Sequence, residues 1–384
     1  MPQNGFGLAN LPYGVFSTPD RSPRVGVRYG DGVLDLAEAF GETYFATATL
    51  NELMAQGRQV WDRERARITR LLSERAPSLV PIEDVTMHLP IKVADYVDFY
   101  ASEHHASNVG RIFRPDAEPL LPNWRHLPVG YHGRSSTIVV SGTDIVRPSG
   151  QTKGPQDDAP TYGPCRRLDV EVEVGYIVGV GAPMGGRVSG AEFADHVFGC
   201  VLLNDWSARD IQAWEYVPLG PHLGKSFATS ISPWVVPLAA LEPARTGPPA
   251  RTVPLLPYLQ EGEDWALRLE LELELNGETV SRPPYDTMYF TGAQMLAHLT
   301  VNGAALSTGD LYGSGTVSGP EPDQRGSFLE LSWGGTEPLT LADGSQRTFL
   351  QDGDTATIRG TFTGAGGELC SFGEVTGRIL PAAG

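Results

Sequence analysis

A chain of 384 residues, 41% hydrophobic and 20% charged, is long enough for two or three domains with substantial cores. Its 29 Lys and Arg against 46 Asp and Glu leave a formal net charge of −17, with no basic run. Nucleic acid and anionic membrane faces are excluded as partners, since both require clustered positive charge.

Gly (45) and Pro (31) together make up about a fifth of the chain, which favours short strands and turns. The start, "MPQNGFGLANLPYGVF", has no basic segment followed by an apolar run, and no stretch of 18 apolar residues occurs. The expectation is a cytoplasmic protein without a membrane span. Residues 24–37, "RVGVRYGDGVLDLA", alternate around Gly30-Asp31-Gly32 and predict a hairpin. Residues 59–75 set Val60, Ile68, Leu71 and Leu72 on a helical stripe. Prolines 77, 81 and 90 then mark a connector, which divides the chain into residues 1–90 and 91–384. Beyond it, short strands are predicted at 135–142, 168–180, 196–205, 265–279, 326–333 and 354–364. Asn276-Gly277 is a hairpin turn signal within this series. Helices are predicted through "SARDIQAWEY" after Asp205 and through "TGAQMLAHLTVNG". Cys165, Cys200 and Cys370 lack CxxC spacing, which argues against a thiolate metal site and a disulfide framework.

In "VEVEVG" (170–175), Glu171 and Glu173 share one face of a strand, about 7 Å apart at Cα. Two carboxylates at that spacing can converge on a hard cation such as Ca²⁺ or Mg²⁺. They can equally form a solvated acidic face. "LRLELELEL" (267–275) repeats the alternation with Glu270, Glu272 and Glu274, so at least one of the two sets is plain surface. In "NDWSARDIQAWEY" (204–216), Asp205 ends an apolar run and stands at a strand end. Arg209, Gln212 and Tyr216 share a helical face and offer donors to an anionic oxygen, with an ordinary solvated face as the alternative. Lys225 and Thr229 follow in the Gly/Pro-rich "PLGPHLGKSFATS". "DYVDFYASEHHASNVG" (95–110) holds two adjacent histidines, which cannot both point at one site from regular structure. "GVGAPMGG" lacks the strand–helix context of a nucleotide site.

Six strings, in this order, resemble the fumarylacetoacetase family: "DFYASEHHASNVG", "LLPNWRHLPVGYHGRSSTIVVSG", "LDVEVEVG", "NDWSARDIQAWEYVPLGPHLGKSFATSISPWVVP", "SGTVSG" and "LELSWGGT". The resemblance covers residues 93–384 well and is fainter before them and through 240–300. It implies a mainly β, α+β fold: a small N-terminal β-barrel domain and a larger C-terminal mixed β-roll. It implies a homodimer with a divalent cation, Ca²⁺ or Mg²⁺. It also implies hydrolysis of a carbon–carbon bond in a small diketo acid, giving fumarate and acetoacetate, the last step of tyrosine and phenylalanine catabolism. By motif, Asp98, Glu171, Glu173 and Asp205 match metal ligands, which selects between the two acidic strands. Lys225 and Thr229 match a second cation or water site beside Asp205. His105 matches the general base and Glu330 the carboxylate that orients it, whereas His104 matches no functional position. Arg209, Gln212 and Lys225 match oxyanion donors. Tyr100, Arg114, Tyr131, Gln212, Tyr216 and Thr316 match substrate contacts. Arg114, Arg209 and Lys225 would also form the local basic cluster that an acidic chain needs for a dianionic substrate. Ala228 stands where the family pattern has a glycine, which bears on substrate fit. The alternatives are an acylpyruvate hydrolase or oxaloacetate-type decarboxylase on the same scaffold, or a non-catalytic, Ca²⁺-stabilised dicarboxylate-binding protein. The His105–Glu330 pair speaks for water activation.

Overall fold

The apolar run Val197–Asp205 is buried at every position because both faces of this strand are covered. Cys200 and Leu202 enter one core, Val201 and Leu203 another. In this computed structural model, which describes residues 4–262 and 264–383, the strand lies within a mixed eight-stranded sheet. The order is Gly130–His132, Tyr96–Phe99, Leu311–Gly313, Val172–Val178, Val197–Asp205, Thr229–Ile231 and Ile138–Val140. Val236–Pro237 also pairs with Val197–Asp205. The register sets Asp98 opposite both Gly313 and Tyr131, and Asp205 opposite Thr229.

A second sheet, in the order Glu278–Ser281, Glu270–Leu275, Thr355–Thr363, Leu369–Leu380 and Ile145–Val146, packs against one face of the first. Its Leu271, Leu273, Ile358 and Phe372 join Cys200 and Leu202 in the larger core. The other face receives the N-terminal part of the chain. There a five-stranded sheet runs in the order Val80–Pro81, Gly32–Asp35, Arg21–Tyr29, Tyr13–Thr18 and Thr86–His88. Helix Arg58–Glu74 turns Trp61, Ile68 and Leu72 inward. These pack with Val15 and Val27 against Tyr96, Ile177, Val201, Leu203 and Leu311 of the central sheet. Asp98 is two residues from Tyr96 and Glu173 four from Ile177, so both acids share the sheet face that the N-terminal part covers. Among the described residues, no helix is long and apolar enough to cross a membrane.

The hairpin expected at 24–37 is Arg21–Tyr29 paired with Gly32–Asp35, and the helix expected at 59–75 is Arg58–Glu74. The Asn276-Gly277 hairpin and the helices Arg209–Glu215 and Gly292–Thr300 also stand where the pattern puts them. Residues 326–333 differ: the expected strand is a short helix, Phe328–Leu331. Asp169 accepts from the amides of Phe328 (2.7 Å) and Leu329 (3.0 Å) and satisfies its first turn. Residues 135–142 open as a 3₁₀ turn, and only Ile138–Val140 is strand. Helix Glu103–Phe113 has no counterpart among the expected elements. Its Ser, Asn and Gly lower helix propensity, and Ser102 Oγ starts it by accepting from the His105 amide (3.3 Å).

In Glu270–Leu275 the leucines are buried, whereas Glu272 meets Thr279 and Arg282 at the surface. Glu272→Gln is expected to change stability by no more than about 0.5 kcal/mol in a thermal melt. A drop several times larger would show that this acidic row is not plain surface.

Candidate active site

Asp98, Glu173 and Asp205 lie on strands of one sheet, Asp98 and Glu173 flanking Leu311–Gly313. Val172 pairs with Asn204, and one further step along that register brings Glu171 beside Asp205. One carboxylate oxygen from each of Asp98, Glu171, Glu173 and Asp205 lies within 4.8 Å of the others, and all four residues are buried. Residue 313 must be small for this. A Cβ there would stand 2.5 Å from Asp98 Oδ1 and 2.8 Å from Glu173 Oε2.

Two cations border the cluster. Lys225 Nζ donates to Asp205 Oδ2 (2.7 Å) and to Glu171 Oε2, and Arg209 Nη2 stands 2.7 Å from Glu171 Oε1. Burial alone would raise the Glu171 carboxyl, but Lys225 and Arg209 outweigh it and hold it well below the usual carboxylate range. Burial likewise disfavours the Lys225 ammonium, and Asp205 and Glu171 more than restore it. An ammonium has no lone pair, so the Lys225 side chain acts here as a donor. Thr229 Oγ1 donates to Asp205 Oδ1 (3.3 Å), and Tyr131 OH donates to Asp205 Oδ2 (2.6 Å).

Asp98 and Glu173 have no cationic side chain in contact among the described residues. Burial first, then the neighbouring carboxylates, push both well above the usual range. Asp98 Oδ1 and Glu173 Oε1 are buried without a hydrogen-bond partner. An all-oxygen donor set with unmet acceptors, and with no cationic side chain beside Asp98 and Glu173 among the described residues, fits a hard divalent cation. It does not fit a metal that seeks thiolate or imidazole.

On helix Glu103–Phe113, successive side chains diverge by about 100°. His105 is buried and its Nδ1 lies 2.6 Å from Glu330 Oε2. His104 is half-buried, and its ring makes no hydrogen bond among the described residues. Glu330 Oε2 also accepts from Ser318 and Ser327 (2.9 Å each), and Oε1 accepts from Asn108 (2.9 Å). An ionised Glu330 accepts the Nδ1 proton, which leaves His105 Nε2 as an acceptor.

A cavity of about 380 Å³ opens in front of these groups. Asp98, Tyr100, His105, Arg114, Tyr131, Glu171, Arg209, Gln212, Tyr216, Lys225 and Thr316 line it. Glu173, Asp205 and Glu330 stand behind its wall, each bonded to or clustered with a lining residue, and Thr229 stands behind it bonded to Asp205. Val109, Phe113, Leu120 and Trp124 add an apolar side. The Tyr100 ring meets His105 edge-on at 5.2 Å, and Gln212 Oε1 accepts from Arg209 Nη1 (3.3 Å). Arg114 Nη2 donates to the Pro119 carbonyl (3.0 Å), and its Nε is buried without a partner. Tyr216 is exposed at the mouth, and Ala228 is buried away from the cavity wall. A larger cleft of about 500 Å³ around Arg251, Glu261 and Asp264 gathers no buried ionisable group among the described residues. Sequence reasoning passed over Asp169, Asn108, Ser318 and Ser327. Asp169 carried a signal, since it continues the alternation of Glu171 and Glu173.

Solved structures share this architecture at low sequence identity. A fumarylacetoacetate hydrolase from Exiguobacterium antarcticum is 18% identical, with a TM-score of 0.58 over 97% of this chain and 99% of that one. A maleylpyruvate hydrolase from Sphingobium sp. SYK-6 is 16% identical, with a TM-score of 0.57 over 97% and 100%. The chain thus has the fumarylacetoacetate hydrolase fold. Sequence relatives are far nearer. The fumarylacetoacetase of Homo sapiens is 45% identical over 405 residues, covering 98% of this chain and 96% of that protein. That of Caenorhabditis elegans is 46% identical over 415 residues, covering 100% and 98%. The family models "Fumarylacetoacetase N-terminal" and "Fumarylacetoacetate (FAA) hydrolase C-terminal" match residues 9–90 and 95–379. The chain belongs to the fumarylacetoacetase family.

Burial would raise the Glu330 carboxyl, but His105 and the bonds from Asn108 and Ser327 outweigh it and hold it below its usual 4.5. A carboxyl depressed by folding stabilises above its unfolded pKa and loses that contribution as pH falls through the folded one. Glu330→Gln is therefore expected to melt below the parent near neutral pH, with a gap that shrinks as pH drops below 4.5. Melts at several pH values test this, and a gap constant down to about pH 3 contradicts it.

Proposed function

We propose that this protein hydrolyses fumarylacetoacetate, cleaving one carbon–carbon bond with water to release fumarate and acetoacetate. The observation that carries this reading is the buried His105–Glu330 pair, which leaves Nε2 free on a residue of a cavity shared with the carboxylate cluster. The names of the relatives from Homo sapiens and Caenorhabditis elegans support the substrate.

Asp98, Glu171, Glu173 and Asp205 would hold the cation, Ca²⁺ or Mg²⁺, with Lys225 and Thr229 bordering a second cation or water beside Asp205. Bound there, the ion supplies Lewis-acid polarisation to a diketone. His105 takes a proton from water at Nε2, while Glu330 fixes the tautomer and stabilises the imidazolium. The resulting hydroxide attacks the carbonyl next to the fumaryl part. Arg209, Gln212 and Lys225 donate to the developing oxyanion. The carbon–carbon bond then breaks, and its electron pair leaves on acetoacetate as an enolate that takes up a proton. Tyr100, Arg114, Tyr131, Tyr216 and Thr316 hold the substrate, and the apolar side of the cavity excludes bulk water. Decarboxylation has no use for a histidine poised to activate water. A catalytic part at 91–384 behind an N-terminal part at 1–90 belongs to the same reading. So do a homodimer, a cytoplasmic location and the last step of tyrosine and phenylalanine catabolism. These rest on the family resemblance.

Loss of diketone absorbance, with metal content checked, tests the central assignment. His105→Ala is expected to lower turnover by at least about a hundredfold with the cation retained, and His104→Ala far less. A dead His104→Ala beside an active His105→Ala would overturn it.

A further inference from the structure

We propose that Asp169 is a positioning residue for Arg209, setting the guanidinium plane from which the oxyanion is bound. The inference rests on the hydrolase reading above. Asp169 ends the short strand Leu168–Asp169, is wholly buried, and does not line the cavity. Three backbone amides hold its carboxylate. Oδ1 accepts from Val170 (2.8 Å) and Phe328 (2.7 Å), and Oδ2 accepts from Leu329 (3.0 Å). The amides come from two segments far apart in sequence, so the carboxylate cannot turn without breaking bonds on one side.

Onto this fixed group Arg209 donates from Nε to Oδ2 at 2.8 Å. Arg209 is buried at the first position of helix Arg209–Glu215. Its Nη2 stands beside Glu171, and its Nη1 donates to Gln212 at 3.3 Å. A guanidinium carries five N–H groups in a rigid fork. Nε is spent on Asp169, whereas one hydrogen of Nη1, and Nη2, which is ion-paired with Glu171 but makes no hydrogen bond among the described residues, remain for a ligand in the cavity that Arg209 lines. Without the Nε anchor, the fork would hang on Glu171 and on one long bond to Gln212, free to tilt. The Phe328 and Leu329 amides also open the helix that carries Glu330, the partner of His105. Glu330 itself is held by Ser318, Ser327 and Asn108, so the His105–Glu330 pair keeps its own anchors when Asp169 is changed.

Asp169→Asn keeps the side-chain shape but sets its NH2 donor against donor, either against Arg209 Nε and the Leu329 amide or against the Val170 and Phe328 amides, so the anchor loosens in both orientations. The expected result is a fall in kcat of about tenfold or more with KM held within about threefold, since ground-state contacts remain. Arg209→Gln and the double variant complete a cycle. Because Asp169 acts through Arg209, the double variant should match Arg209→Gln within about threefold. Parental kcat in Asp169→Asn, or a double variant about tenfold or more below Arg209→Gln, would overturn the proposal. If Asp169→Asn leaves Arg209 unpaired and does not fold, the double variant against Arg209→Gln decides alone, because it removes both charges of the pair. The parent runs in the same assay. A parent that does not hydrolyse fumarylacetoacetate removes the hydrolase reading and this inference with it. An active parent beside an unchanged Asp169→Asn removes only this inference.

Discussion

Four buried carboxylates with oxygens within 4.8 Å of one another are the constraint on which the rest of the structure depends. Two full negative charges at about that spacing repel by about 3 kcal/mol at an effective dielectric of about 20. Left to themselves the side chains would separate or protonate. The sheet prevents separation, because Asp98, Glu173 and Asp205 are fixed by strand register, Glu171 is fixed next to them by its bridge to Ser327, and the strands are fixed by apolar cores on both faces. Lys225 and Arg209 neutralise the Glu171–Asp205 side. The Asp98–Glu173 side has no cationic side chain of its own among the described residues, so its carboxyls are pushed toward the protonated form and two of its oxygens stay unpartnered; a hard cation is the group whose chemistry answers both.

The N-terminal part gains a role from this geometry. Trp61, Ile68 and Leu72 pack on the same sheet face that bears the carboxylates, against Tyr96, Ile177 and Leu203, and cover the part of it next to them. Access is left to the cavity in front, where His105, Arg209 and Lys225 meet. In a chain of net charge −17, the hydrolysis proposed above would rely on the cations gathered there to admit an anionic substrate.

What was legible in the sequence was local. The period of "VFGCVLLND" and the Asn276-Gly277 turn report their own conformations, and both stand as the pattern says. Helix Phe328–Leu331 was hidden because its first-turn amides are satisfied by Asp169, 159 residues from Phe328. The two acidic rows read alike along the chain. They differ only in what the fold sets against them: Asp98 and Asp205 for Glu171 and Glu173, Thr279 and Arg282 for Glu272. Family motifs supplied that long-range information for the site. They did not supply Asp169 or the serines around Glu330, which act from behind the cavity wall.

The most direct measurement is a calorimetric titration of chelator-treated protein with Ca²⁺ and with Mg²⁺, parent beside Gly313→Ala. That variant keeps every carboxylate but fills the space between Asp98 and Glu173. The parent is expected to bind at least one of the two ions saturably and to regain turnover, and Gly313→Ala to bind far more weakly. A parent that binds neither ion, or a Gly313→Ala protein that binds as the parent does, would contradict the carboxylate cluster as the cation site.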